Sequence, residues 1–193
     1  MSELSELWLV RHGATEWSES RRHTGRTDLP LTDAGRREAA KLVRPLDAVQ
    51  FAAAFVSPLT RARETARIAG FADAVVLDDL REWDYGVYEG RTTAEIREEI
   101  PKWSVWADPI PDGEAIDAVG ARVATVLDRC AAVDGRVVVF AHAHVLRILT
   151  AVALGLPPTA GRLLTLDSGS VSVLGREHDD RVIRRWNWTP PRG

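Results

Sequence analysis

The sequence predicts a single α/β domain over residues 1–193, built in three layers, with a mostly parallel central sheet and helices on both faces. Segments that look like buried strands alternate with segments of helical periodicity through most of the chain. Neither a Ser- or Gly-rich linker nor an internal repeat interrupts this alternation. The 193 residues, 45% hydrophobic and 27% charged, suffice for one sizeable core and exclude a disordered or low-complexity chain.

The first half of the chain predicts three strands and two helices. The apolar runs typical of buried strands lie at 7–10, 51–56 and 75–77. Helical periodicity lies at 33–46 and 59–69. We expect Thr32 to be the N-cap of the first helix, and Pro58 suits the entry of the second. The glycine-containing segments at 14–31 and 79–91 predict loops.

The second half predicts two longer helices around one strongly apolar strand. Thr92 and Glu95 form the capping-box pattern of a short helix that ends at Pro101, and a Pro-rich loop follows to residue 113. Apolar residues at helical spacing predict a helix from Ala115 to Cys130. The remaining predictions are strands at 136–140, 163–166, 171–174 and 182–188, and a helix at 145–154.

Charge and composition exclude several classes of protein. A net charge of −3 disfavours non-specific nucleic-acid binding, which needs a basic face. No stretch approaches the roughly 18 apolar residues of a membrane span, and the acidic start, Met1 to Glu6, lacks the basic residues of a secretory signal. Cys130 is the only cysteine, so no intrachain disulfide can form. We therefore expect a cytoplasmic protein with neither nucleic acid nor membrane as a partner.

Polar motifs stand at the predicted strand ends, where ligands bind in sheets of this kind. Arg11-His12-Gly13 ends the first strand, and His142 follows the strand at 136–140. A strand-end histidine is often an ordinary loop residue, and a three-residue match has a high false-positive rate. Two further motifs are Ser57 to Ala66, with an arginine in the first turn of a helix, and Leu80 to Gly90.

In this order, the motifs resemble the histidine phosphatase clan, in the branch of cofactor-dependent phosphoglycerate mutases, and the resemblance covers nearly the whole chain. Arg81 to Gly90, with Trp103 and Trp106 after it, is most similar to the small acid phosphatases of this branch and to the related sedoheptulose bisphosphatases. The resemblance implies an enzyme that hydrolyses phosphomonoesters without a metal or other cofactor. Its implied substrate is a small phosphorylated metabolite, a sugar phosphate or a sugar bisphosphate.

The resemblance also implies a role for each motif residue. The residues implied to neutralise the phosphate are Arg11, Arg61 and a protonated His142. His12, neutral and held in one tautomer, would attack phosphorus and carry a phosphohistidine intermediate. Glu82 would protonate the leaving alcohol and then activate water, and proximity to the phosphate dianion should keep it protonated for the first role. Asp84 is an alternative proton donor.

Further substrate contacts are expected around these residues. Those implied for phosphate are Ser18, Thr24, Gly25 and the Ala143 amide. Those expected at the mouth of the pocket, or packed as a lid on the core, are Trp83, Tyr85, Trp103 and Trp106. The candidates for a second phosphate or a sugar are Arg21, Arg22, His23, Arg26 and His144, with solvated loop charge as the alternative for Arg21 and Arg22. The departures from the family pattern are Ala14, Ser18 and Ala143, where Glu, Asn and Gly are more usual; we expect Ala143 to be unstrained.

Two rival functions stay open at this point. The first is cofactor-dependent phosphoglycerate mutase, which the short stretch between residue 86 and His142 disfavours because true mutases carry an insertion there. The second is a non-catalytic phosphometabolite binder, which could dispense with His12 or Glu82, although both are present. Dimers are common in the clan, so a homodimer is an expectation, and no residue pattern fixes an interface.

Overall fold

A six-stranded sheet forms the centre of the molecule, which the computed structural model describes over residues 4–190. The ends of the predicted domain, 1–3 and 191–193, lie outside the described residues. The strands are β1 (Leu4–Arg11), β2 (Ala53–Val56), β3 (Val75–Val76), β4 (Gly135–Ala141), β5 (Val171–Glu177) and β6 (Asp180–Trp188). Their order is β3-β2-β4-β1-β5-β6; the first four are parallel, β5 is antiparallel to β1, and β6 is antiparallel to β5.

Helices cover both faces of this sheet, as the sequence predicts. They are α1 (Glu16–Glu19), α2 (Asp33–Lys41), α3 (Val43–Asp47), α4 (Thr60–Ile68), α5 (Thr93–Glu99), α6 (Ile116–Ala131) and α7 (Ala143–Ala153). Alternate residues of β4 point to opposite faces. Val137 and Val139 pack with α6 and α7, whereas Val138 and Phe140 pack with α3 and α4. The result is the predicted α/β arrangement of three layers. Within residues 4–190 the structure contains no helix with the length and apolarity to cross a bilayer.

Most predicted elements lie within a few residues of their observed bounds. Thr32 caps α2 by accepting from the Gly35 N–H at 3.1 Å, and Thr92 forms the predicted capping box with Glu95 at the start of α5. The predicted loop at 79–91 contains a 3₁₀ turn at Gly86–Tyr88. A second 3₁₀ turn, Asp78–Leu80, overlaps the start of this loop. Local capping signals were therefore sufficient to place these helix starts.

Three predictions were wrong. The helix at 33–46 is interrupted at Leu42, because Pro45 has no N–H to donate to the Lys41 carbonyl. The short α1 lies in the predicted loop at 14–31 and is held by a reciprocal capping box between Thr15 and Ser18. The predicted strand 163–166 is the end of a 3₁₀ helix, Pro158–Leu163, followed by irregular chain. There, carbonyls accept hydrogen bonds from arginine and tryptophan side chains and not from a neighbouring strand.

The topology brings the motif residues to one edge of the sheet. The chain leaves β1 at His12, whose N–H donates to the carbonyl of Ala141 at the end of β4 (3.0 Å). The Ser57 N–H, just beyond β2, donates to the Phe140 carbonyl on β4 at 2.9 Å. Helices α4 and α7 begin at the same edge, so strand ends and helix N-termini face a common space.

Candidate active site

His12 is fixed in one tautomer at the end of β1. Its Nδ1 lies 2.7 Å from the carbonyl oxygen of Gly13, and because a carbonyl only accepts, Nδ1 carries the proton and Nε2 keeps its lone pair. Only 5% of the residue is exposed to solvent. Burial, and then the charges of Arg61 and Arg11, hold the pKa of His12 well below its usual value. The ring is therefore neutral at neutral pH.

Gly13 gives this turn its close packing. A Cβ on Gly13 would lie 2.3 Å from the carbonyl oxygen of Gly35, so no other residue fits without moving the backbone. The Gly13 N–H donates to Thr65 Oγ1 at 3.0 Å, and the Thr65 hydroxyl donates to the Arg61 carbonyl at 2.7 Å. These bonds tie the loop after β1 to α4.

Arg61 is fully buried, and its hydrogen bonds hold the loop after α1 in place. Its Nε donates to His142 Nδ1 at 3.1 Å. Its two other nitrogens donate to backbone carbonyls at 2.9–3.1 Å, those of Thr24, Gly25 and Thr27. The guanidinium does not line the cavity beside His12, so its charge acts on that cavity through space.

His142 is neutral in the structure, whereas the resemblance implies that it is protonated where it neutralises phosphate. Because the Arg61 Nε can only donate, His142 Nδ1 must accept, and the ring proton therefore lies on Nε2, which donates to Ser57 Oγ at 2.7 Å. Burial, followed by the charge of Arg61, holds the pKa of His142 well below its usual value. The rings of His12 and His142 are 5.1 Å apart, centre to centre. We call Arg11, His12, Arg61 and His142 the phosphate end.

Arg11 is the cation of the phosphate end that lines the cavity. One terminal nitrogen donates to the Leu166 carbonyl. Its Nε is buried and has no hydrogen-bond partner within residues 4–190. Burial lowers the pKa of Arg11 from its usual value, although arginine remains charged. A buried guanidinium N–H beside His12 is a donor that an anion could satisfy.

Glu82 reaches the N-terminus of α7. Its Oε1 accepts from the backbone N–H groups of Trp83 (3.0 Å) and Val145 (2.9 Å), and its Oε2 accepts from that of His144 (3.1 Å). The carboxyl group is thus oriented by three donors and by the positive end of a helix. Oε2 accepts only one of these bonds, so it retains a position that can hold a proton. Glu82 is 7% exposed and lines the cavity.

Asp84, the alternative proton donor, lies elsewhere. Its carboxylate forms an ion pair with Arg26 at 2.7 Å and accepts from the Gly86 N–H at 3.0 Å. Neither Asp84 nor Arg26 lines the cavity that contains His12. The geometry therefore favours Glu82 over Asp84 and removes Arg26 from the candidates for substrate contact.

A cavity of about 600 Å³ opens beside His12, Arg11 and Glu82, and we call it the site cavity. The arginines that line it are Arg11, Arg21, Arg22, Arg97 and Arg147. The carboxylates among its described lining residues are Glu82 and Asp167. This excess of cations favours an anionic ligand.

Aromatic residues and histidines form the side of the site cavity away from the sheet. We call this group the outer wall: His23, Tyr85, Trp106, His144 and Arg147. Burial raises the pKa of Tyr85 well above its usual value, so its hydroxyl keeps its proton, and the hydroxyl oxygen lies 2.5 Å from His144 Nδ1. The Arg147 guanidinium lies 4.5 Å from the centre of the Trp106 ring. Burial also lowers the pKa of His23 to about 4.

Most of the predicted substrate contacts do line the site cavity: Ser18, His23, Thr24, Tyr85 and Ala143. The positive-φ residues do not include Ala143, so alanine is unstrained there, as expected. Trp103 is buried in the core at 2% exposure, whereas Trp106 lines the cavity. Arg21, Arg22 and His144 line it as well.

Gly25 is the predicted contact that the structure keeps away from the site cavity. Its N–H donates to both oxygens of the Glu89 carboxylate, at 2.8 and 3.0 Å, and its carbonyl accepts from Arg61. Its backbone groups are therefore used within the protein. In contrast, sequence reasoning missed Arg97 and Arg147 as lining residues. Arg147 carried a signal, since it interrupts an otherwise apolar helix.

The described residues 4–190 contain no group of three or more His, Cys, Asp or Glu side chains arranged to hold a metal ion. The histidines of the site have other partners: His12 bonds to Gly13, and His142 bonds to Arg61 and Ser57. The chemistry that the site offers through its own side chains is a neutral imidazole nucleophile, a carboxyl group and guanidinium charge.

Comparison with known proteins agrees with this geometry. A family model described as "Histidine phosphatase superfamily (branch 1)" matches residues 7–189. An acid phosphatase from Mycobacterium tuberculosis is 38% identical over 92% of this chain and 89% of its own length. A sedoheptulose 1,7-bisphosphatase from Saccharomyces cerevisiae is 37% identical over 77% of this chain and 67% of its own length.

Two further matches bear on fold and activity. A probable phosphoglycerate mutase from Photorhabdus laumondii is 30% identical over 94% of this chain and 89% of its own length. Among solved structures, an open reading frame product of Mycobacterium tuberculosis superposes with a TM-score of 0.90 at 35% identity, covering 97% of this chain and 99% of the other.

Proposed function

The chain belongs to the histidine phosphatase superfamily and is a phosphatase of phosphorylated metabolites, and we propose that its substrates are sugar phosphates or a sugar bisphosphate. We further propose that hydrolysis proceeds through a phosphohistidine on His12, with Glu82 as the proton donor and no metal ion. The observation that carries this proposal is the fixed tautomer of His12, whose unprotonated Nε2 belongs to a ring lining a cationic cavity.

In the first step, His12 Nε2 attacks phosphorus. A P–N bond forms as the P–O bond to the alcohol breaks, and the electron pair of that bond stays on the leaving oxygen. This oxygen takes a proton from Glu82, for which Oε2 is the better placed atom because it accepts a single backbone hydrogen bond. The bond from Nδ1 to the Gly13 carbonyl stabilises the imidazolium as it develops.

In the second step, water attacks the phosphohistidine. Glu82, now a carboxylate, accepts a proton from this water, the P–N bond breaks, and its electron pair returns to His12 Nε2. Inorganic phosphate leaves, and the protonated Glu82 is restored. One carboxyl group thus serves as acid and then as base, which suits its fixed place at the N-terminus of α7.

Charge neutralisation precedes both steps, because a phosphate dianion repels nucleophiles. Arg11 contributes the buried Nε that has no partner within residues 4–190, and Ala143 contributes a backbone N–H in the first turn of α7. Arg61 acts at a distance: its Nε lies 3.1 Å from His142 Nδ1, the His142 ring centre lies 5.1 Å from that of His12, and the charge of Arg61 lowers the pKa of His12. A bound dianion would favour protonation of His142, which provides the positive charge that the family resemblance implies.

The size and charge of the site cavity support a substrate larger than a single phosphate group. Beyond Arg11, four arginines line this cavity: Arg21, Arg22, Arg97 and Arg147. Trp106 offers a ring face of the kind on which the apolar face of a sugar packs. A sugar with a second phosphate would use these features together, and the two named phosphatase relatives include a bisphosphatase.

The test is phosphate release in the presence of EDTA by wild type and by the His12→Ala variant. The substrates would be p-nitrophenyl phosphate, 3-phosphoglycerate, fructose bisphosphate and sedoheptulose bisphosphate. We expect turnover of the sugar phosphates by the wild type and its loss in the variant. Undiminished turnover by His12→Ala would refute the phosphohistidine route, and failure of every sugar phosphate would refute the substrate class.

Phosphoglycerate mutase is the second candidate, and the relative of that name favours it. A mutase returns the phosphoryl group of its intermediate to the substrate, so it isomerises 3-phosphoglycerate when primed with bisphosphoglycerate. We expect hydrolysis to exceed isomerisation in the same primed assay. The reverse ratio would make the chain a mutase.

A further inference from the structure

Arg122 binds the chain segment that carries Glu82 from outside the site cavity. It lies on α6 and 16% of its side chain is exposed. It does not line the site cavity; it lines a neighbouring cavity of about 370 Å³, which Glu82 also borders. Arg122 therefore reaches the catalytic segment without reaching the substrate.

Three of its N–H donors bind the backbone of this segment. Its Nη1 donates to the carbonyls of Asp79 and Arg81, both at 2.7 Å, and its Nη2 donates to the carbonyl of Glu82 at 3.3 Å. Three carbonyls within four consecutive residues thus converge on one planar group. A guanidinium can do this because its five donors have a fixed geometry, whereas an ammonium group cannot.

The remaining two donors bind Glu114 in a bidentate pair, at 2.7 and 3.0 Å. Glu114 in turn binds the far side of the same segment. Its N–H donates to the Asp84 carbonyl at 3.1 Å, and its own carbonyl accepts from the Trp83 indole at 2.7 Å. All five N–H groups of Arg122 are used, and Arg122 with Glu114 contacts the chain before, at and after Glu82.

We propose that Arg122 is the positioning residue for Glu82. The proposal rests on the proposed role of Glu82 as proton donor. The segment of residues 79–84 is bound to Arg122 through its backbone carbonyls and to the N-terminus of α7 through the Glu82 carboxyl group. The Glu82 carboxyl group meets the His144 and Val145 N–H groups only if this backbone is held in place. Arg122 fixes the donor, and a shift of the donor by about 1 Å costs about 10²-fold in rate.

The test compares two substrates that differ in their need for a proton. The sugar of a sugar phosphate leaves as an alkoxide unless Glu82 protonates its oxygen. In contrast, p-nitrophenyl phosphate releases p-nitrophenolate, which is a stable anion without that proton. The value of kcat/KM reports the steps up to formation of the phosphohistidine, so only the sugar phosphate depends on the donor. We would measure kcat/KM for p-nitrophenyl phosphate and for the sugar phosphate that the wild type turns over fastest.

For Arg122→Lys we expect kcat/KM to fall by about 10- to 100-fold with the sugar phosphate and by less than about 2-fold with p-nitrophenyl phosphate. Glu82→Gln should show the same selectivity with a larger loss, about 10²- to 10⁴-fold. The double variant should lose no more selectivity than Glu82→Gln alone, because Arg122 acts through Glu82. An equal loss on both substrates, or none, in Arg122→Lys would overturn the positioning role.

A matched control is Thr125→Val. Thr125 lies one turn further along α6 and donates to the Asp79 side chain at 2.9 Å, so its loss loosens the same helix-to-segment contact without touching the Glu82 backbone. We expect the ratio of kcat/KM between the two substrates to stay unchanged.

Glu114→Gln, which keeps Arg122, tests the same proposal if Arg122→Lys does not fold. It should lower kcat/KM by less than Arg122→Lys does, again mainly with the sugar phosphate. If Glu82→Gln itself fails to discriminate the substrates, the proposed function of Glu82 is wrong, which separates that failure from a failure of Arg122 alone.

Discussion

The phosphate end, which lines the site cavity through Arg11 and His12, and the outer wall on the same cavity are built in different ways. Residues of the phosphate end sit at strand ends and helix starts, and each has at least one ring or guanidinium nitrogen bound to a backbone carbonyl or to another of these residues. The outer wall combines three loop residues, His23, Tyr85 and Trp106, with side chains from α7, held through ring contacts. In the proposed function, regular elements would hold the reacting groups, and loops that can vary without disturbing the sheet would help to select the leaving group.

The largest effect should follow from removal of the nucleophile at the phosphate end. His12→Ala should lower kcat/KM by more than about 10⁴-fold on every phosphomonoester, because no other lone pair replaces Nε2. Brief mixing with ³²P-labelled substrate should label the wild type with an acid-labile, alkali-stable phosphoenzyme, and the variant not at all. The control is His178→Asn, an exposed histidine in a left-handed turn (φ 53) that asparagine tolerates. Labelling of the His12→Ala variant would show that a residue other than His12 is the nucleophile.

The contrast between the two regions also appears in the stability expected of their variants. Arg61→Met keeps the length of the side chain but leaves three carbonyls and His142 Nδ1 buried without their donor. Each acceptor left without its donor in a buried place costs about 1–3 kcal/mol, so we expect a loss of about 3–5 kcal/mol for this set. Urea denaturation should show this loss in the free energy of unfolding. The surface variant Arg36→Met, which breaks an exposed pair with Glu64, should lose less than about 1 kcal/mol. Equal losses would mean that Arg61 is not the centre of a buried network.

The sequence singled out all four residues of the phosphate end, whereas it missed Arg147 on the outer wall and misassigned Gly25, for a physical reason. Strand and helix periodicity places His12 and His142 at strand ends, and parallel strands bring such ends to one edge, so local patterns suffice. Gly25 was misplaced because its N–H meets Glu89, a contact between distant loops that no local pattern encodes. Arg122 had no local signal either, since its role depends on how α6 packs beside residues 79–82. The break at Leu42 was within reach, because Pro45 is visible in the sequence.

The outer wall should show itself in the pH dependence of stability. Burial lowers the pKa of His23 to about 4, whereas the unfolded chain binds that proton near pH 6.5. Unfolding therefore takes up a proton between these values, so stability is full above pH 6.5 and falls as the pH falls towards 4. His23→Gln should remove roughly 3 kcal/mol of this pH-dependent change. The check is the free energy of unfolding at pH 7 and at pH 4 for wild type, His23→Gln and His178→Asn. A parallel course for wild type and His23→Gln would show that His23 is not buried neutral.

The smallest effect should separate substrate choice from chemistry. Trp106→Leu removes the ring face over which Arg147 lies, an interaction of about 0.5–2 kcal/mol. We expect KM for a sugar bisphosphate to rise about 5- to 10-fold, while kcat/KM for p-nitrophenyl phosphate changes by less than about 2-fold. Trp188→Leu is the matched control, because Trp188 carries the same kind of contact with Arg185 (5.1 Å) on the edge strand β6. If both variants raise KM alike, the loss is general and Trp106 does not recognise the leaving group. If only Trp106→Leu does, the loops of the outer wall can change the substrate while the strand ends keep the reaction.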